Sequence, residues 1–299
     1  MPTYLRPPTL DAALEALAAA AAAPPADPAD RLTILAGGTD LYPTRTAHAA
    51  WGRKVSRNVI DISLIPGLAG IRAEAGEIVI GAATTWSDLV RADLPAAFVG
   101  LKAAAREVGG VQIQNRGTIV GNICNASPAA DGVPPLVALG AEVEIASTRG
   151  RRRLPLADFI LGNRRTALAS DEMLVAVRVP APEPQARSVF LKLGARAYLV
   201  ISIVSVAGVM VCDDQGRITS VAIAVGACSA APLRLTGLEA ALIGAPAARA
   251  AEMVTQAHLS ALSPIDDVRA SAAYRREAAL TLVRRALSEL AASGIEAAA

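Results

Sequence analysis

Arg31-Leu-Thr-Ile-Leu-Ala-Gly-Gly-Thr-Asp-Leu41 is an apolar run that breaks into two glycines, a hydroxyl and a carboxylate. Its counterpart is Asn115-Arg-Gly-Thr-Ile-Val-Gly-Asn122, a glycine-punctuated turn carrying a hydroxyl and two side-chain amides. Glycine tolerates positive φ, so consecutive N–H groups in such turns converge into a concavity that holds an anion. The missing Cβ also lets a phosphate approach the backbone. Thr39 adds a hydroxyl donor. Each stretch alone reads equally well as an ordinary turn. In the first, Asp40 would cap a strand-to-helix turn; in the second, buried turn residues would satisfy one another's backbone groups. Read as a pair, they are two donor loops closing on an anionic cofactor, and the chain upstream of residue 180 serves to hold them face to face.

Working outward, Thr9 caps a helix in which Leu10, Leu14 and Leu17 recur on one face, and the prolines between Pro24 and Asp30 end it. Leu32 to Ala36 reads as a short buried strand, and Thr39-Asp40-Leu41 as a helical turn limited by Pro43. Val59 to Ile62 is a second strand, and Ala75-Gly76 joins a hairpin of 70–74 with 77–81. Thr84 or Thr85 caps a helix through Leu89, and Pro95 to Val108 forms a longer one that Gly109-Gly110 terminates. Beyond the 115–122 loop come a helix near Pro134 to Leu139, a strand at Ala141 to Ser147 and a strand at Glu172 to Pro180. The basic run Arg149 to Arg153 reads as a solvated hairpin tip.

Pro180-Ala-Pro-Glu-Pro-Gln-Ala-Arg187 is a linker, which divides the chain into 1–180 and 181–299. Val189 to Leu193, Ser202 to Cys212 and Ile218 to Cys228 then read as three strands, the last two joined by the Asp213–Arg217 turn. Helices follow at 236–242, 246–259 and 266–290; the last carries Val268, Ala272, Ala279, Val283 and Leu287 with paired arginines opposite. The fold class is α+β, because regular βαβ alternation is absent.

The bulk properties exclude several classes. A net charge of +2 over 299 residues gives no field for nucleic acid or an anionic membrane. No run approaches the ~18 apolar residues that span a bilayer, and no signal peptide is visible, so a cytoplasmic location is expected. Cys124, Cys212 and Cys228 are too scattered to ligate a cluster, and His48 and His258 lack zinc-site spacing. The GxGxxG and GxxxxGK[ST] fingerprints are both missing, so any phosphate must be held by other glycine loops. Thr118 and Asn122, followed by Asp131, offer a hydroxyl, an amide and a carboxylate suited to a ribityl chain or ribose. Lys192, taken by itself, is a lone cation in an apolar strand and reads as a surface residue.

Ala36-Gly-Gly-Thr-Asp-Leu41, Gln114-Asn-Arg-Gly-Thr-Ile-Val-Gly-Asn122 and Ala126-Ser-Pro-Ala-Ala-Asp131 together resemble the FAD-binding medium subunit of molybdenum hydroxylases. That family includes xanthine dehydrogenase, aerobic carbon monoxide dehydrogenase and 4-hydroxybenzoyl-CoA reductase. The resemblance runs from Tyr4-Leu-Arg-Pro7 through Leu136-Val-Ala-Leu-Gly-Ala141 and Leu191-Lys-Leu193 to Ala273-Tyr-Arg-Arg276. It implies a two-subdomain FAD-binding domain of the vanillyl-alcohol-oxidase/MurB-like type, followed by a small domain of three antiparallel strands with helices. It also implies that Leu35, Ala36, Gly37, Gly38, Thr39, Asp40 and Leu41, with Thr118, Ile119, Val120, Gly121 and Asn122, cradle the FAD pyrophosphate and neighbouring atoms. By the same resemblance Asp131 contacts the cofactor, Leu174 packs on it, and Lys192 lies near the isoalloxazine end.

The sequence departs from the family pattern at Val120, which stands where a glycine is usual. Valine disfavours positive φ, so that position is either extended or the loop is shifted. The residue covering the flavin is left open between Tyr198 and Ile201, and the cysteine-rich insertion of 4-hydroxybenzoyl-CoA reductases is absent. The function implied is electron transfer. Substrate would be oxidised at a molybdenum cofactor on a large partner subunit, and electrons would pass through [2Fe–2S] clusters on a small subunit to this FAD and on to an external acceptor. A dimer of heterotrimers is the expected assembly. No acid–base residue is nominated, since the flavin carries the chemistry. The rival readings are a stand-alone flavin oxidoreductase of the same superfamily and a subunit that has lost FAD and serves as a scaffold, which Val120 alone favours.

Overall fold

The computed structural model describes residues 3–27, 30–52 and 58–292; Pro28 and Ala29 of the proline loop lie outside the described residues. The chain starts with three short strands, β1 (Tyr4–Leu5), β2 (Thr33–Leu35) and β3 (Val59–Asp61), separated by helices α1 (Leu10–Ala22) and α2 (Leu41–Ala50). They pair in parallel in the order β1-β3-β2. The sequence marks β2 and β3 as strands, but two-residue β1 and the parallel pairing of the three carry no readable periodicity. Thr9 caps α1 by accepting the Ala12 N–H, and Ala13, Leu14 and Leu17 are its buried residues. Pro43 does not limit α2, which runs on to Ala50. A proline in the first turn has no intrahelical N–H bond to lose.

A five-stranded antiparallel sheet follows, in the order β4-β5-β10-β6-β7. Its members are β4 (Ile71–Glu74), β5 (Glu77–Gly81), β6 (Glu142–Ser147), β7 (Gly150–Pro155) and β10 (Met173–Pro180), with a separate ribbon of β8 (Ile160–Gly162) and β9 (Arg165–Thr166). Central β10 is buried from Met173 to Val179. The β4–β5 hairpin turns on Ala75 and Gly76, at φ +52° and +79°, matching the paired positive φ of a tight two-residue turn.

Five helices lie in the chain between β5 and β6: α3 (Trp86–Arg91), α4 (Val99–Glu107), α5 (Val111–Gln114), α6 (Ile119–Asn125), which packs on β10, and α7 (Val133–Ala138); one-turn α8 (Leu156–Phe159) follows β7. Thr85, not Thr84, caps α3, in a reciprocal capping box with Asp88. Replacing Thr85 with alanine should cost about 1 kcal/mol in denaturant unfolding, and Thr85→Ser should recover most of it.

Arg149 to Arg153 do form a solvated hairpin tip, with Arg149 in the β6–β7 turn and β7 exposed along most of its length, but the run is also structured. β7 is a strand, and its arginines pair across the sheet: Arg151 with Glu144, Arg152 with Glu172 at 2.7 Å, Arg153 with Glu77 at 3.1 Å. Buried Arg178 also reaches Glu144 and Glu77. Burial raises the Glu144 carboxyl, but the hydrogen bonds from Arg178 and Arg151 outweigh it and hold the group below its ordinary value. Arg152 pulls Glu172 down likewise. Carboxyls depressed by folding stabilise above their unfolded pKa and lose that contribution as pH falls through the folded value. The urea midpoint should therefore fall between about pH 5 and pH 2. Arg178→Met should flatten that fall, since Glu144 then loses its main partner.

The C-terminal sheet is β11 (Arg187–Leu193), β12 (Val204–Cys212) and β13 (Ile218–Gly226), with a short fourth strand, β14 (Leu233–Arg234), added at the edge. It alternates by face. Ala207, Val211, Ala222 and Ala224 join the core of the first 180 residues, whereas Val206, Met210, Ile223 and Val225 pack with the C-terminal helices. Those helices are α9 (Thr236–Leu242) and α10 (Ala272–Ala292). The predicted helix over 246–259 is instead two 3-10 segments, Ala247–Met253 and Gln256–Leu259, parted by extended Val254 and Thr255. The last helix starts at Ala272 and not at 266, because the Asp266 and Asp267 carboxylates accept N–H groups from Ala272, Arg269 and Ala270. Such local side-chain bonds compete with the helix.

Candidate functional site

Leu35 to Leu41 leave the carboxyl end of β2 and form one wall of a cavity of about 300 Å³, which Ile62, just past β3, also lines. Ligands of parallel sheets collect at this end of the strands. The opposite wall is Thr118, Val120, Gly121 and Cys124 on α6, and Leu168, Met173 and Leu174 close it beside β10.

The two glycine loops touch. A Cβ on Gly37 would lie 2.0 Å from the carbonyl oxygen of Arg116, and one on Gly117 would stand 3.2 Å from Thr39 Oγ1. Gly38 has φ +72°, a conformation that carries the chain into α2. The backbone N–H groups of Gly37, Gly38, Thr39 and Asp40 find no acceptor among the described residues. Four successive free donors at a helix N-terminus form a seat for an anion.

The second loop is fixed from behind. Trp86 N–H donates to the Gly117 carbonyl at 3.2 Å, and Ile119 N–H donates to Thr84 at 3.1 Å, forming a bridge between Thr85 and Thr118. The Trp86 ring is fully buried against Gly132, where a Cβ would come within 2.2 Å of the indole. From Ile119 onward the predicted loop is a helix. Thr118 is its cap, accepting the Gly121 N–H at 3.0 Å, and Val120 lies in its first turn with no positive φ. Val120 is thus neither extended nor a loop shift, and its side chain lines the cavity.

Leu35, Ala36, Gly37, Gly38, Thr39, Asp40, Leu41, Thr118, Val120, Gly121 and Leu174 all line this one cavity. Ile119 is buried in the core behind it. Asn122 stands just off the lining, with Oδ1 buried and without a partner, an acceptor that a bound donor would satisfy. Asp131 and Lys192 lie outside the cavity and bind each other: Lys192 Nζ donates to Asp131 Oδ2 at 2.7 Å, with both side chains buried. Lys192 is therefore not the surface cation its isolated position in the strand suggests. Burial pushes the Asp131 carboxyl up, against the downward pull of Lys192 and Ser202. Tyr198 and Ile201 are both exposed, and neither lines the cavity.

Asp40 does not cap α2 through its side chain. It pairs with Arg164 at 2.9 Å, and Arg164 also binds the Asn125 side chain. Arg164 thus ties the first loop to the end of α6 and neutralises a carboxylate at the cavity rim. No local pattern marks Arg164 or Trp86 in the sequence, because their partners are distant in the chain. Cys124, in the cavity wall, has its thiol pushed up to about 12 by burial, so it stands there as a neutral apolar group. No cluster of His, Cys, Asp or Glu among the described residues could hold a metal ion, and no described helix is long and apolar enough to cross a membrane.

The family described as FAD binding domain in molybdopterin dehydrogenase matches residues 1–182, and the CO dehydrogenase flavoprotein C-terminal domain matches 190–290. The chain belongs to this family of molybdopterin-dehydrogenase flavoprotein subunits. Within the family it is 31% identical over 295 residues to the xanthine dehydrogenase FAD-binding subunit of Escherichia coli O157:H7, covering 97% of this chain and 96% of that one. The nicotinate dehydrogenase FAD-subunit of Eubacterium barkeri is 36% identical over 217 residues, covering 71% and 72%. Among solved structures, a chain of carbon monoxide dehydrogenase from Hydrogenophaga pseudoflava superposes with a TM-score of 0.83 at 30% identity, over 95% of each chain. Membership makes the protein an oxidoreductase subunit with the α+β architecture of these flavoproteins.

Proposed function

We propose that this chain binds FAD through the paired glycine loops and carries electrons between [2Fe–2S] clusters of a small partner subunit and an external acceptor. The substrate is oxidised at a molybdenum cofactor on a large partner subunit. The observation that carries the reading is the row of free N–H groups from Gly37 to Asp40 facing the α6 cap across one cavity. It matches the chemistry of a pyrophosphate, and the unpartnered Asn122 Oδ1 matches a donor on the ribityl or ring portion. In this reading Leu35 to Leu41 and Thr118 to Asn122 hold the pyrophosphate and adjoining atoms, Leu174 packs on the cofactor, and Asp131 with Lys192 meets its ring end. Residues 1–180 form the cofactor domain, 181–299 buttress it, and the assembly is a dimer of heterotrimers in the cytoplasm.

FAD, when bound, supplies the redox chemistry. The chain's own residues bind and orient it, and burial in the cleft keeps water away. Co-expression with the neighbouring subunits and purification of the complex tests this directly. A yellow complex with one flavin per copy of this chain is expected, and a colourless complex would overturn the assignment.

A further inference from the structure

Ala273-Tyr-Arg-Arg276 is a motif that the cofactor cavity leaves unexplained. Its Arg275 lies in the first turn of α10 and is 1% exposed. The guanidinium donates to the backbone carbonyls of Ile203 at 2.6 Å and Ala227 at 3.1 Å, and to Asp267 Oδ1 at 2.7 Å, with only Nε unpartnered. Arg269 grips Asp267 Oδ2 and reaches the Ser202 carbonyl at 3.5 Å. Asp267, though burial opposes it, is held well below the usual carboxylate range by the bonds from Arg269 and Arg275. A cation buried this deeply persists only where its partners are fixed. The backbone at 202–203, entering β12, is therefore clamped to α10.

That clamp sets a side chain. Ser202 is 0% exposed, and its Oγ donates to Asp131 Oδ1, while Lys192 holds Asp131 Oδ2. Both oxygens of the carboxylate are thus gripped, one by Lys192 of β11 and the other by Ser202 just before β12.

We propose that Ser202, fixed by Arg275, is a positioning residue for the Asp131–Lys192 pair and, through that pair, for the ring end of the bound flavin. The proposal rests on the FAD reading above. Without the Ser202 hydroxyl, one carboxylate oxygen faces apolar surroundings. The carboxylate then rotates, and Lys192 follows it. A hydrogen bond to a charged group is worth roughly a factor of ten in binding.

The test uses the full-length chain loaded with FAD, with flavin release followed by fluorescence and the environment of the ring by its visible absorption bands. Ser202→Ala should weaken FAD binding about tenfold and shift the flavin bands. Ser202→Thr, which keeps the hydroxyl, should restore both. In an Asp131→Ala/Lys192→Met background, Ser202→Ala should change neither, because the groups it acts through are gone. Wild-type affinity and spectrum in Ser202→Ala overturn the proposal, as does an undiminished effect in the double background. A wild-type chain that takes up no FAD overturns the cofactor reading itself, and so is told apart from failure of the Ser202 relay.

Discussion

Gly37→Val should yield a colourless protein that still folds. The new Cβ would stand 2.0 Å from the Arg116 carbonyl oxygen, closer than any non-bonded contact, and the obstacle is backbone. The loops must then part. Overpacking of this kind costs about 1–3 kcal/mol in a core, and here the strain falls on the anion seat, so a loss of about a hundredfold or more in FAD affinity is expected. The check is flavin absorbance relative to protein absorbance, alongside far-ultraviolet circular dichroism. The C-terminal sheet packs its own buried cluster far along the chain, so the dichroism should change little. Retention of full flavin by this variant would show that contact between the loops is not what shapes the site. Gly38→Val should also lose flavin, for a different reason: φ +72° disfavours a β-branched side chain, although the Tyr42 ring it would meet at 2.7 Å can swing away.

Lys192→Met should be the most destabilising single change in the C-terminal sheet. Removing one partner of a buried pair strands the other, at about 3–5 kcal/mol. Asp131 would keep its Ser202 bond but lose its countercharge. Its carboxyl is already raised by burial, and without Lys192 it rises further. The sign follows: an acid whose folded pKa is raised is least costly when protonated. The deficit should therefore be full at neutral pH and shrink as pH falls through the raised value. Urea unfolding of wild type and variant across that range measures it. Adding Asp131→Ala to Lys192→Met should recover a large share of the lost stability at neutral pH, because neither buried charge remains. A double variant no more stable than Lys192→Met would mean that packing, and not charge, sets the cost.

Much of the chain is legible because local rules govern it. Thr9 announces its helix through capping chemistry, the Thr84-Thr85 pair announces the next without choosing between the two, Ala75-Gly76 announces its hairpin, and the apolar runs of β12 and β13 announce strands. Where two local preferences compete, the sequence misleads. Pro43 looks like a stop but is harmless in a first turn; Asp266 and Asp267 look helical but bond their own backbone. Val120 looks wrong for a glycine loop only while the loop is taken to continue. Once Thr118 caps a helix, the residue two places on needs no unusual φ.

The sequence alone determined the α+β class, the two glycine loops as the candidate site we propose for FAD, and the kinship that their combination implies. Those features depend on residues within a few positions of one another, where sterics and capping act directly. Only the tertiary structure decided why the glycines are there. Gly37 makes room for the backbone of Arg116, and the N–H groups beside it are left free to hold an anion. Only the tertiary structure, too, turned Lys192 and Arg275 from ordinary strand and helix cations into buried ones, each paired with a carboxylate and Arg275 also held by two backbone carbonyls. A side chain's desolvation and its partner are set by segments brought together over long loops, and no local pattern encodes which segments those are.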